Sequence, residues 1–315
     1  MINLLILIIS LGILILGADL IIKQSEKIAI KFNFSEYLIG ATLIAFGTSL
    51  PEMAASISAS IHKHPQLAVS NIIGSNFLNI SLVLGMVLLL AKGGIKPNRD
   101  FFVKDSSWAL FPVLFFIAVA LDNQINRIVA ISLLLLMFGY ILFLIRYDKT
   151  SLDLDIEDIE DIEDNFNWIK ITFFLIVGFI MVIKGADYTV ISASNLAKSL
   201  GVSEWAIGVL LVAFGTSLPE LVVSIIAAIK GKADMAIGNV IGSNMANITV
   251  ALGLAALAHP IKMNFSKYSF DIALMVIATF MLVFITANKM YSKPAGISLL
   301  SMLIIFLNHL FLIQH

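Results

Sequence analysis

The sequence predicts an all-α membrane protein of ten transmembrane helices, built as two inverted-topology repeats of five. Three observations predict it. The 315 residues are 59% hydrophobic and 13% charged, with a mean hydropathy of +0.99, which is the composition of a polytopic membrane protein. Apolar runs of about 20 residues, the length that crosses a bilayer, recur along the chain. The hexapeptide Gly-Thr-Ser-Leu-Pro-Glu occurs twice, from Gly47 to Glu52 and from Gly215 to Glu220.

The apolar runs lie near 2–23, 35–61, 66–91, 101–121 and 124–146, then near 168–198, 203–229, 235–258, 268–287 and 295–313. They divide the chain into a first repeat (1–147), a linker (148–167) and a second repeat (168–315). The first run has no charged leader and no small-residue cleavage site, so it reads as a retained helix. Gly17-Ala18-Asp19 returns as Gly185-Ala186-Asp187, a shift of 168. Between residues 17 and 85, roughly 31 of about 69 positions are identical at that shift, with no insertion. Five helices is an odd number, so the second copy enters the membrane from the opposite side.

Lys and Arg set the expected orientation. One set of loops carries Lys23, Lys27, Lys31, Lys92, Lys96, Arg99, Lys104, Arg146, Lys149, Lys170, Lys230, Lys232, Lys289 and Lys293. The other carries Lys63, Arg127, Lys198, Lys262 and Lys267. The first side is expected to be cytoplasmic, with both termini outside and the linker inside, in a multi-pass protein of the cell membrane. Lys184 is expected to snorkel or to pair with Asp187. Asp153, Asp155, Glu157, Asp158, Glu160, Asp161, Glu163 and Asp164 make the linker a solvated acidic tether; it lacks the glycine and ligand spacing of a calcium loop. A net charge of −1 gives no case for nucleic acid, and the absence of Cys excludes disulfides, Fe–S clusters and thiol chemistry.

The hexapeptides are where a membrane helix should break. Pro51 and Pro219 have no N–H for the carbonyls of Gly47 and Gly215. A freed carbonyl at membrane depth must be buried in protein or line a polar cavity. Glu52 and Glu220 are costly there without a positive partner, and no Lys or Arg lies near either in sequence. A cation that comes and goes is the simplest partner. Carbonyls, hydroxyls and carboxylates are a hard-oxygen set suited to Na⁺ or Ca²⁺.

The helix after each hexapeptide carries a second signature. Asn71, Ser75 and Asn79 are four apart and share one helical face, as do Asn239, Ser243 and Asn247. Gly74 and Gly242 would let a neighbouring backbone approach. Alone, such a stripe is interhelical glue; duplicated beside a duplicated acidic break, it points to a site. Asp19 and Asp187 read as interface or hydrogen-bonding residues. Glu36 and Glu204 read as first-turn dipole partners, and the five His residues show no metal-ligand spacing.

At these residues the sequence resembles the calcium/cation antiporter superfamily, most closely its prokaryotic-type sodium/calcium exchanger branch. The resemblance covers all ten helices and rests on two motifs that each occur twice. It implies a secondary antiporter rather than an enzyme, exchanging sodium for calcium by alternating access. Helices two, three, seven and eight would form the site, and the first and sixth would slide. The implied ligands are Ala45 (carbonyl), Thr48, Ser49 and Glu52, then Ala213, Thr216, Ser217 and Glu220. Ser75, Asn79, Ser243 and Asn247 come from the following helices. The transported ions would be calcium and sodium, with no cofactor, in a lipid-embedded monomer. Potassium-dependent relatives carry Asp where this chain has Asn247, and the proton-coupled branch has G-N-x-x-E where it has the hexapeptide. Coupling to potassium or protons is the alternative within this class. A cation channel would need a continuous pore, commonly built from several subunits. An intramembrane protease would use paired Asp residues.

Overall fold

The computed structural model describes residues 2–91, 95, 106–147, 166–199, 215–262 and 264–312. Helix α1 (Ile2–Phe32) is followed by α2 (Glu36–Thr48) and α3 (Leu50–Ile61), a pair bent by 47° at Ser49. Then come α4 (Pro65–Leu90), α5 (Leu110–Asp122), α6 (Arg127–Tyr147) and α7 (Trp168–Ser199). The remainder is α8 (Leu218–Ile229), α9 (Ala233–Ala258), α10 (Ser269–Ala287) and α11 (Lys293–Leu312). Two short strands, β1 (Gln124–Ile125) and β2 (Ile261–Lys262), pair antiparallel and join the loop before α6 to the one after α9. Asn123 Oδ1 accepts from Phe265 N–H beside them.

The protein is an all-helical membrane protein. Among the described residues, six helices are long and apolar enough to cross a membrane, or seven if α2 and α3 count as one bent span. The expected ten spans are therefore not all seen as such. The segments leading into α5 and α8, residues 96–105 and 200–214, lie outside the described residues, as does the acidic linker from 148 to 165.

Burial ranks the helices. The most apolar windows of α4 and α9 are 78% and 83% buried, against 33% for α1. The two helices that carry the Asn/Ser stripes are thus central, and polar groups there are shielded from lipid. Ile2, Leu5, Ile8 and Leu16 of α1 face outward, as an apolar membrane helix should. Its inner face packs on α7 at backbone contact: a Cβ on Gly17 would meet the Gly178 carbonyl at 3.0 Å, and one on Gly185 the Leu14 nitrogen at 2.9 Å. Ser10 accepts from Thr189 across this seam.

Gly242 behaves as the sequence suggests. Its added Cβ would sit 2.2 Å from the Ala41 carbonyl, so α2 and α9 touch through their backbones. Gly74 does not: nothing among the described residues lies within 4 Å of its added Cβ. The residue equivalent to Ala41 at the 168-residue shift is position 209, outside the described residues.

Charged residues cluster where α1 meets the α8–α9 turn. Asp19 pairs with Lys23 and Lys230, and Lys232 pairs with Glu26 and Glu36. Asp19 is thus a hydrogen-bonding residue, one of the two roles expected of it. Glu36 does more than complement a dipole; its partner is remote in sequence, and Ser35 supplies the cap through Leu38 N–H. Burial works against the charge of Lys232, but Glu36 and Glu26 outweigh it and raise its pKa above the ordinary lysine value. Lys184 and Asp187 pair at 3.5 Å, exposed, as their spacing suggests.

Candidate ion site

Both hexapeptides lead into a helix in the same way, and the first breaks one described on both sides. Ser49 (φ −83°, ψ 5°) and Ser217 (φ −86°, ψ 4°) lie outside the helical region, and helix begins after them at Leu50 and Leu218. Pro51 and Pro219 fall in the first turn of the resumed helix, where a missing N–H costs nothing. Glu52 and Glu220 share that turn, so each carboxylate sits at the positive end of a half-helix. Both are 0% exposed.

Side chains from the two halves interlock here. Ser49 Oγ donates to Glu220 Oε1 at 2.8 Å, and Thr48 Oγ1 to Asn239 Oδ1 at 3.2 Å. Thr216 Oγ1 donates to Asn71 Oδ1 at 3.5 Å, with Thr216 and Ser217 beside Glu52. The two carboxylates lie within Coulombic reach of each other. Asn71 Nδ2 reaches Ser56 Oγ at 3.0 Å and Asn239 Nδ2 reaches Ser224 Oγ at 2.9 Å, equivalent bonds at the 168-residue shift. Ser243 Oγ donates to the Ala45 carbonyl at 3.5 Å, which also takes Ser49 N–H at 3.0 Å. Ser75, Asn79 and Asn247 are buried on the central helices.

Eleven of the twelve expected ligands thus fall on the central helices and the two helix breaks; Ala213 lies outside the described residues. Six oxygens of this set are buried with no hydrogen-bond partner: Glu52 Oε1 and Oε2, Glu220 Oε2, Asn79 Oδ1, Ser217 Oγ and Asn247 Oδ1. Native proteins rarely leave such groups unpaired, and oxygens of this kind suit Ca²⁺ or Na⁺. Among the described residues no group of three or more His, Cys, Asp or Glu could hold a metal ion, so a cation here would depend on neutral oxygens as well as two carboxylates.

Ser56, Ser224, Asn76 and Asn244 join the expected residues here, and their one signal in the sequence is that each recurs at the 168-residue shift. It also did not foresee π turns at Gly40–Ile44, Asn79–Leu84 and Asn247–Ala251. Asn79 and Asn247 each open one, and π turns favour functional sites.

The profile of the family described as sodium/calcium exchanger protein matches residues 2–146 and 170–312. The chain belongs to the sodium/calcium exchanger family. The sodium/calcium exchanger MaX1 of Methanosarcina acetivorans is 32% identical, over 99% of each chain. An uncharacterized membrane protein of Methanocaldococcus jannaschii is 35% identical, over 94% of each. Among solved structures, the sodium-calcium exchanger NCX_Mj aligns with a TM-score of 0.79 and 32% identity, covering 98% of both chains. The family match spans both hexapeptides and both stripes and omits the acidic linker.

Proposed function

We propose that this member of the sodium/calcium exchanger family is a secondary antiporter, not an enzyme, that moves Na⁺ and Ca²⁺ in opposite directions through one site by alternating access. One observation carries the reading. Glu52 and Glu220 are wholly buried, close together and without an ion-pair partner among the described residues. Two such charges need a cation, and one Ca²⁺ balances both. Na⁺ accepts the same oxygens, so the two loads compete and cannot cross together. The ligands would be Ala45, Thr48, Ser49, Glu52, Ser75 and Asn79 with Ala213, Thr216, Ser217, Glu220, Ser243 and Asn247. Crossing with an empty site would occlude two bare carboxylates, at high cost.

Ten helices in two inverted repeats would carry this chemistry, with residues 1–147 and 168–315 as the halves and the acidic segment between as a cytoplasmic tether. Lys23, Lys230 and Lys232, assigned to one face by sequence, do meet in one cluster. The segments holding Arg127 and Lys262, assigned to the other, meet at β1 and β2. Both support this topology. Purified protein in liposomes loaded with Na⁺ should accumulate Ca²⁺, and dissipating the Na⁺ gradient should stop it. Ca²⁺ entry independent of Na⁺, or single-channel currents, would defeat the exchange reading.

A further inference from the structure

The two halves of the site are not equally satisfied. Asn79 Nδ2 donates to Asn244 Oδ1 at 3.0 Å and ties α4 to α9. Shifted by 168 residues, the equivalent bond runs from Asn247 Nδ2 to Asn76 Oδ1. It is not made: both atoms are buried without a partner, and so is Asn247 Oδ1. Asn76 Nδ2 turns back to its own helix at Ile72 O, 2.8 Å away, whereas Asn244 Nδ2 crosses to Asn76 O at 3.3 Å. The hexapeptides differ in the same sense. Ser49 bonds Glu220 at 2.8 Å, while Ser217 lies beside Glu52 without closing the equivalent short bond. The Asn–Ser and Thr–Asn pairs around them are made in both copies. The side-chain bonds that break the symmetry are therefore centred on Asn76 and Asn247, whose equivalents Asn244 and Asn79 are joined.

A buried carboxamide with both ends unpaired is disfavoured. Two equivalent sets of partners, one closed and one open, describe a bistable arrangement. We propose that Asn76 and Asn244 are positioning residues of a two-position carboxamide latch. Asn79–Asn244 is closed in the state seen here; Asn247–Asn76 closes in its place when access passes to the other face. The bond uses the nitrogen of Asn79 and leaves its Oδ1 unpaired. Asn244 thereby aims that oxygen for a cation, and Asn76 does the same for Asn247 in the other state. The inference rests on the alternating-access reading above.

The chain has no Cys, so nitroxides can be placed at Ile8→Cys on α1 and Ile128→Cys on α6, both exposed. Inter-label distances by pulsed electron resonance then give the populations of the two access states. N244A removes the bond of this state and should move the ratio about fivefold toward the other; N76A should move it about fivefold the opposite way. The double variant N76A/N244A should return to the wild-type ratio. A merely structural role would move both single variants alike. If an alanine variant does not fold, N76S and N244S replace it, because Ser can satisfy itself on the carbonyl four residues back. Shifts in the same direction, or none beyond twofold, in a protein whose wild type performs Na⁺-driven Ca²⁺ uptake overturn the latch and leave the exchange reading intact. A wild type without that uptake overturns both.

Discussion

Ser49 and Glu220, 171 residues apart, meet at 2.8 Å with the serine hydroxyl donating to a wholly buried carboxylate. The bond joins one hexapeptide to the other, and it places a ligand candidate from each half on the same spot. Removing the hydroxyl leaves Glu220 Oε1 without its donor and a cation with one oxygen fewer. Ser49→Ala should weaken apparent Ca²⁺ affinity about tenfold, the scale of one hydrogen bond to a charged group. Initial rates of ⁴⁵Ca uptake against Ca²⁺ concentration check it; an unchanged KM would remove Ser49 from the site.

Glu52→Gln and Glu220→Gln should each nearly abolish exchange while leaving the protein folded. Each removes one of the two charges that balance Ca²⁺. Each also relieves the ion-free protein of a buried, unpaired carboxylate, so its thermal midpoint should hold or rise. Melting in detergent alongside flux in liposomes separates the effects. Wild-type Ca²⁺ flux in both variants would refute the site.

Gly242→Ala should destabilise by about 1–3 kcal/mol, the usual cost of overpacking. The new Cβ would press on the Ala41 carbonyl at 2.2 Å, which is backbone and cannot rotate away. Gly12→Ala is the control, because nothing lies within 4 Å of its added Cβ. Equal melting of the two variants would contradict the described contact between α2 and α9.

At Asn247 the proposed site would have a neutral amide rather than a third carboxylate. Exchange should therefore proceed with K⁺ replaced by choline, and with three Na⁺ exchanged for each Ca²⁺, the stoichiometry that the family resemblance implies, one net positive charge should move with the sodium ions. Turnover would then respond to voltage by about 2.3 kcal/mol per charge per 100 mV. Flux that requires K⁺, or that ignores a clamped potential, would overturn this assignment.

Lys232→Met should lower the thermal midpoint by removing the cation that Glu26 and Glu36 share. The folded state raises the lysine pKa above its ordinary value. Its contribution is thus fully present below the unfolded pKa of about 10.4 and lost only as pH climbs through the folded value. The gap between wild type and variant should be constant from about pH 7 to 9.5 and close only in stronger alkali. A gap that changes near neutrality would point to another group.

Much of this was legible in the sequence because the chain states its main feature twice. The break at Ser49, the helix start after Ser217, central helices bearing Asn and Ser, and buried Glu52 and Glu220 all follow from Pro, polar and acidic residues in apolar runs. Partners remote in sequence were not legible. Nothing local to Glu36 announces Lys232, and nothing in the stripe Asn71, Ser75, Asn79 says that Asn79 meets Asn244. The π turns leave no compositional mark, since they redistribute backbone bonds rather than side chains. Gly74 shows the limit of reasoning by repetition: its twin Gly242 meets a backbone, while it meets none of the described residues.

The π turn at Asn79–Leu84 has a geometric consequence for α4. It holds one residue more than an α turn would, which offsets everything downstream by about 100° around the axis. Upstream, Asn71, Ser75 and Asn79 share one face. Downstream, Gly85 lies against α11, where a Cβ on Gly296 would come within 2.7 Å of the Gly85 carbonyl. A straight α-helix could not keep both angular phases with this sequence. Deleting a single residue between Ile80 and Leu84 should therefore be tolerated, because a regular α-helix one residue shorter keeps Gly85 against Gly296, whereas regular winding of the undeleted sequence would turn Gly85 by about 100°. A bulky neighbour would then take the place where the two backbones now touch.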